Sequence, residues 1–184
     1  MTTVDKVYPP PAAVSQESNG LVHGLSAAEL QVLSAKCLEA KSTAYCPYSL
    51  FRVGCSLLLR PICPSTDPQI ITGANVENAS YPVGTCAERV AMGTAVIQGH
   101  RIGSFKAIGV ATDMDDFCSP CGMCRQFLRE FCEESTPIFM FNKGGEFKVK
   151  TLEELLPMSF GPDVLPSREV LKNLGLEEDK AKTA

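Results

Sequence analysis

Apolar residues recur with a helical rhythm early in this chain. Leu30, Leu33, Cys37 and Leu38 recur at helical spacing, and Ser26 with Glu29 makes a capping box in front of them. The spacing predicts an amphipathic helix over 27–43. Tyr45-Cys46-Pro47-Tyr48-Ser49 breaks it, because the residue before a proline is steered out of the α region. Strands are predicted at 51–59 and 70–76, paired as a hairpin. The link over 60–69 carries Pro61, Pro64 and Pro68 and reads as a surface insertion. A second helix is predicted at 86–98, with Val90, Ala91, Thr94 and Ala95 inward and Gly99 as its stop. Then come a strand at 107–111, a helix at 121–131, a strand at 138–141 and, after Asn142-Lys143-Gly144-Gly145, a strand at 147–150. Thr151 and Glu154 form another capping box and open a short helix that ends near Leu156. Strands and helices alternate in the second half. The fold class is therefore α/β, a mixed sheet with helices on both faces.

The two ends read differently. Residues 1–24 are rich in Pro, Ser and Ala and predict a flexible arm, with His23 exposed at its end. Residues 166–184 predict a charged tail, helical around 168–174. A single domain over 25–165 remains, and no internal repeat is visible.

Composition narrows the function classes. The chain has 184 residues, 45% of them hydrophobic, which suits one domain with a real core. Its net charge is −4 and no basic stripe is visible, so a nucleic-acid polymer is a poor partner and a small neutral molecule a better one. No apolar run is long enough to span a bilayer. The first 20 residues lack a basic start and an apolar stretch; they carry Asp5 and Glu17 and no Arg, unlike a presequence. A cytoplasmic protein is expected.

Two short pieces carry candidate chemistry, Thr85-Cys86-Ala87-Glu88-Arg89 and Ser119-Pro120-Cys121-Gly122-Met123-Cys124-Arg125. Each lies at a predicted helix start. Three thiolates, from Cys86, Cys121 and Cys124, suit a zinc ion with its fourth position left open, the layout of a catalytic site. A carboxylate beside that position, Glu88, can move protons. Such a centre is formally anionic. Helix N-termini would offset the charge and lower thiol pKa values. Arg89 and Arg125 each follow a candidate site residue and could do so too, or be ordinary exposed helix charges. The six other cysteines read as reduced thiols.

Other readings of these residues stay open. Cys118 could complete a four-cysteine structural zinc site. Pro120 argues against it, as the first helical residue behind a Ser119 cap, with Cys121 in the first turn. An iron–sulfur loop would need a fourth cysteine where Leu128 stands. Thr85 and Glu88 could form a capping box, which would take the carboxylate away from any metal. Asn75 and Glu77 share one face of an extended strand and suit the hydroxyls of a sugar, or else they form a solvated strand end.

The Cys-Ala-Glu and Pro-Cys-x-x-Cys pair resembles the zinc-dependent deaminases, and the flanking residues resemble the cytidine deaminase family. The resemblance covers about 26–165. It implies a three-layer α/β/α sandwich with a mixed five-stranded sheet. It also implies hydrolysis of cytidine and deoxycytidine to uridine and deoxyuridine with release of ammonia, in pyrimidine salvage. Further, it implies one Zn2+ per chain on Cys86, Cys121 and Cys124, with Glu88 as the acid–base. Arg89 would hydrogen-bond the ligand sulfurs. Phe51, Asn75 and Glu77 would line the pocket from the same chain. Ala79 and Tyr81 would come from a neighbour, and Phe160 would reach in from another subunit to stack on the base. A homotetramer with shared active sites follows from that division. The alternatives are a deaminase of another cytosine nucleoside, such as a nucleoside antibiotic, and a non-catalytic zinc-stabilised binding protein.

Overall fold

A computed structural model describes residues 20–61 and 69–173. Most of the predicted arm, the centre of the 60–69 insertion and the end of the tail lie outside the described residues. Among the described residues the α-helices and β-strands follow in chain order: α1 (Ala27–Lys41), β1 (Val53–Leu59), β2 (Ile70–Ala74), α2 (Ala87–Ile97), β3 (Phe105–Thr112), α3 (Gly122–Arg129), β4 (Pro137–Phe141), β5 (Phe147–Thr151), α4 (Leu152–Leu155) and α5 (Arg168–Asn173). Both predicted capping boxes form. Ser26 caps α1 with Glu29, and Thr151 caps α4 with Glu154. Gly99 ends α2 at a φ of 96°. The Gly99 amide donates to the Val96 carbonyl and the His100 amide to the Ala95 carbonyl, so the last carbonyls are satisfied.

The strands form one sheet in the order β2-β1-β3-β4-β5. β1 is antiparallel to β2 and β3, β3 is parallel to β4, and β4 is antiparallel to β5. Alternate side chains point to opposite faces, so the core splits in two. Cys55, Leu57, Ile108, Val110, Ile138 and Met140 pack with α2 and α3. Leu58, Ala107, Ala111, Phe139 and Phe141 pack with α1. The result is the mixed-sheet α/β/α sandwich. Among the described residues no helix is long and apolar enough to cross a membrane.

Gly73 on β2 sets the distance to α2. A Cβ there would collide with the Ala87 carbonyl and the Ala91 amide. Its absence lets the first turn of α2 lie directly on the sheet, which fixes where Cys86 and Glu88 stand.

The 51–59 and 70–76 strands are shorter than predicted. Phe51 and Arg52 precede β1, where Asn75 bonds the backbone instead of a strand partner. Beyond Ala74 the chain stays extended because Val76 bridges Tyr45 on one side and Thr85 on the other. Exposed His23 sets its ring against Phe139, with centroids 6.2 Å apart.

Candidate active site

Cys86 is the N-cap of α2, and Cys121 is the N-cap of α3. Cys124 is the third residue of α3. An N-cap side chain and a third-residue side chain lie together over the first turn, so this spacing brings the two thiols side by side. The register of α3 differs from the prediction that made Ser119 the cap. The Ser119 hydroxyl accepts from the Arg125 guanidinium at 2.8 Å instead of capping the helix.

The Cys86, Cys121 and Cys124 sulfurs all lie within 4.8 Å of one another, from a half-buried, an exposed and a buried residue. Sulfurs placed tetrahedrally at about 2.3 Å from zinc stand about 3.8 Å apart. Cys121 Sγ is 4.0 Å from Cys86 Sγ and 3.5 Å from Cys124 Sγ. The donor set therefore fits a zinc ion. Cys118 is not in the cluster; its thiol lies 3.8 Å from the Ser119 carbonyl.

Electrostatics favour thiolate at Cys86. A hydrogen bond from Cys124 and the Arg89 guanidinium bring the Cys86 pKa down to about 5, against the pull of burial. Cys124, as the donor of that bond, is pushed up. The Arg89 Nη2 donates to the Gly84 carbonyl at 3.3 Å, and its buried Nε has no hydrogen-bond partner. Against the desolvation of burial, interaction with Cys86 and Cys124 raises the Arg89 pKa, so its positive charge is favoured beside the cluster.

Glu88 is 3% exposed. Burial, seconded by the neighbouring Cys86 charge, raises its pKa. Hydrogen bonding to its own amide and to Cys124, and the Arg89 charge, pull the other way without cancelling the rise. Glu88 does not close a capping box, because the Thr85 amide already donates to the Val76 carbonyl at 2.8 Å. Glu88 thus sits buried beside the three sulfurs, its carboxyl raised above the ordinary range chiefly by burial.

Above the cluster is a cavity of about 550 Å³, with Phe51, Asn75, Glu77, Tyr81, Cys86, Glu88 and Cys121 in its wall. Asn75 uses both ends of its amide on the backbone before β1, accepting from the Val53 amide at 2.8 Å and donating to the Phe51 carbonyl at 2.9 Å. Glu77 Oε2 accepts from the amides of Tyr48 and Ser49, at 2.9 and 3.2 Å. Ala79 is exposed outside this wall. Tyr81 is 74% exposed at its rim, with its ring centroid 5.8 Å from that of Tyr48. Phe160 is 61% exposed and does not line its own chain's cavity.

One residue has more to do than its sequence position suggests. Arg125 donates to the Pro120 carbonyl, the Leu155 carbonyl and the Ser119 hydroxyl, at 2.7, 2.7 and 2.8 Å. It clamps the approach to Cys121 against α4. Its place directly after Cys124 was the available signal, but its partner Leu155 lies 30 residues on.

A family model for the "Cytidine and deoxycytidylate deaminase zinc-binding region" matches residues 28–140. The chain belongs to this family. Among its relatives, a cytidine deaminase of Sporosarcina psychrophila is 40% identical over 74% of this chain and 95% of its own. A cytidine deaminase of Halalkalibacterium halodurans is 40% identical over 71% and 92%. Among solved structures, the cytidine deaminase of Burkholderia pseudomallei aligns with a TM-score of 0.65 and 36% identity, over 71% of this chain and 98% of that one. The matched family region contains the three cysteines, Glu88, Asn75 and Glu77. Phe160 and α5 lie beyond it.

Proposed function

We propose that this chain is a cytidine deaminase. It hydrolyses cytidine and deoxycytidine to uridine and deoxyuridine with release of ammonia. The observation that carries the reading is the buried Glu88 carboxyl next to three sulfurs at zinc-ligand spacing. The relatives named cytidine deaminase support it.

Cys86, Cys121 and Cys124 would hold one zinc ion per chain. When bound, zinc supplies the Lewis acidity that makes water a nucleophile at neutral pH. Glu88 takes the proton that water gives up as its oxygen bonds C4 of the cytosine ring. It delivers that proton to N3 as C4 becomes tetrahedral. It then takes the remaining proton from the new hydroxyl and passes it to the amino group, which leaves as ammonia. A raised pKa suits a group that must hold and release a proton twice. Arg89 lends positive charge to the sulfurs, and backbone groups near Ala87 and Ser119 stabilise charge on the ring. Asn75 and Glu77 grip the sugar, and Phe51 lines the ring's side of the pocket.

The reading extends to a homotetramer with shared sites, in which Ala79 and Tyr81 serve a neighbour and Phe160 stacks on the base in another subunit. Its support is the solvent exposure of all three side chains in the single chain. A salvage role for pyrimidine nucleosides in the cytoplasm completes the proposal, supported by Cys37, Cys55 and Cys132 standing as buried free thiols.

The test offers zinc-loaded protein four compounds: cytidine, deoxycytidine, cytosine arabinoside and deoxycytidine monophosphate. Both natural nucleosides should be converted. The monophosphate should not, because among the described residues the cavity wall has two carboxylates, Glu77 and Glu88, and no Lys or Arg. Turnover of the monophosphate alone would overturn the nucleoside reading. Nucleoside binding without ammonia release would point to a binding protein.

A further inference from the structure

Phe160 is an exposed ring on a fastened stalk. Its carbonyl accepts from Gln126 Nε2 at 2.8 Å. On the residue before it, the Ser159 hydroxyl accepts from Arg129 Nε at 2.8 Å and donates to Glu134 at 3.2 Å. Beyond it, Arg129 pairs with Asp163. Between these anchors is Gly161, where a Cβ would collide with the Arg129 guanidinium. The Arg129 side chain is 7% exposed, and it also contacts Glu134 at 3.2 Å. A buried guanidinium with this many partners costs desolvation that only a fixed geometry offsets. What it fixes is the short segment from Ser159 to Asp163. Yet the one large apolar side chain there points away from any core of its own chain.

We infer that Arg129, with Gln126, is a positioning residue that holds Phe160 out for the active site of a second copy. This rests on the reading of Phe160 under the proposed function. Both anchors belong to α3, the helix that also carries Cys121 and Cys124. One helix therefore builds the sulfur cluster at its start and aims a ring for another cluster from its side. Arg129→Gln removes the fork but leaves every cluster residue in place. The segment then loosens, and the ring contributes less to base binding.

The test has two parts. The first is hydrogen exchange, which needs no turnover. The Val164 and Leu165 amides donate to the Gly161 and Pro162 carbonyls, so they report on the stalk. They should exchange faster in Arg129→Gln, while α3 amides near Cys124 and zinc per chain stay as in the native protein. Asp163→Asn changes only the exposed partner and should give a smaller change of the same kind. Unchanged exchange in both variants would overturn the fastening.

The second part is a double-mutant cycle on KM for cytidine. Loss of a base–aromatic stack should raise KM by about five- to a hundredfold in Phe160→Ala. Arg129→Gln should raise it less, with little change in kcat. Added to Phe160→Ala, Arg129→Gln should add nothing, because its effect runs through the ring. Equal losses in both backgrounds would overturn the inference. Native KM in Phe160→Ala would overturn it together with the shared-site reading. Faster exchange with no cytidine turnover in the native protein would instead sink the deaminase reading and leave the fastening standing.

Discussion

Val76 and Thr85 exchange two main-chain hydrogen bonds, at 2.9 and 2.8 Å. This bridge joins the extended stretch that presents Asn75 and Glu77 to the residue before Cys86. It brings Asn75 and Glu77 to the same cavity as Cys86 and Glu88. It also occupies the amide that would otherwise recruit Glu88 as a helix cap. The bridge therefore leaves the carboxylate available for chemistry.

The close seat of α2 on β2 depends on Gly73. Gly73→Ala should destabilise the fold by about 1–3 kcal/mol, the usual cost of overpacking. The added methyl meets backbone, which cannot turn aside. Urea unfolding of the zinc-free protein measures this. A loss under half a kilocalorie or so would mean that the helix shifts freely.

Thiolate character at Cys86 can be titrated directly. In zinc-free protein, alkylation of Cys86 should follow a pH midpoint of about 5. Cys37 and Cys132, pushed up to about 12 chiefly by burial, should stay unreactive. Arg89→Gln should move the Cys86 midpoint upward and weaken zinc binding by about 10–100-fold, as loss of groups around metal ligands commonly does. Competition with a chelator reads the second effect. A native midpoint near the ordinary 9.0 would refute this picture of the cluster.

Much of this was legible in the sequence, because the signals were local. The Ser26–Glu29 and Thr151–Glu154 boxes and the Gly99 stop each depend on neighbours a few residues away. The cysteine spacings likewise placed three sulfurs at two helix starts. What escaped depends on distant partners. Ser119 could not be excluded as a cap without knowing that Arg125 takes its hydroxyl. Arg129 looks like any helix-end cation until Ser159 and Asp163 return to it. Glu77 was read as facing a sugar, while one of its oxygens also holds the amides of Tyr48 and Ser49, 29 and 28 residues earlier.

That second task gives Glu77 an acid signature. Hydrogen bonds, led by Ser49 and helped by the Tyr48 amide, hold its carboxyl below the ordinary 4.5. A depressed carboxyl contributes stability above its unfolded pKa and loses it as pH falls through the folded value. The melting temperature of Glu77→Gln should therefore lie below that of the native protein at pH 6. The two should converge as pH drops below about 4.5. A constant gap across that range would mean the carboxylate is not what holds the 45–51 loop.

Arg125→Ala should free the Ser119-Pro120 approach and separate it from α4. The loss of three charge-assisted bonds should cost about 2–3 kcal/mol in zinc-free protein. Bound zinc should recover part of that, because the metal holds Cys121 directly. Thermal unfolding with and without zinc checks both statements. A variant as stable as the native chain in both states would show the clamp to be idle.

The central claim is that Glu88 carries the protons. The direct measurement is conversion of cytidine to uridine by the native protein and by Glu88→Gln, with zinc counted in both. Gln keeps the size of the side chain and removes its basicity. The account predicts turnover by the native chain and a loss of about 10²–10⁴-fold or more in kcat for the variant, at equal zinc content. A Glu88→Gln protein that deaminates cytidine at the native rate would contradict it.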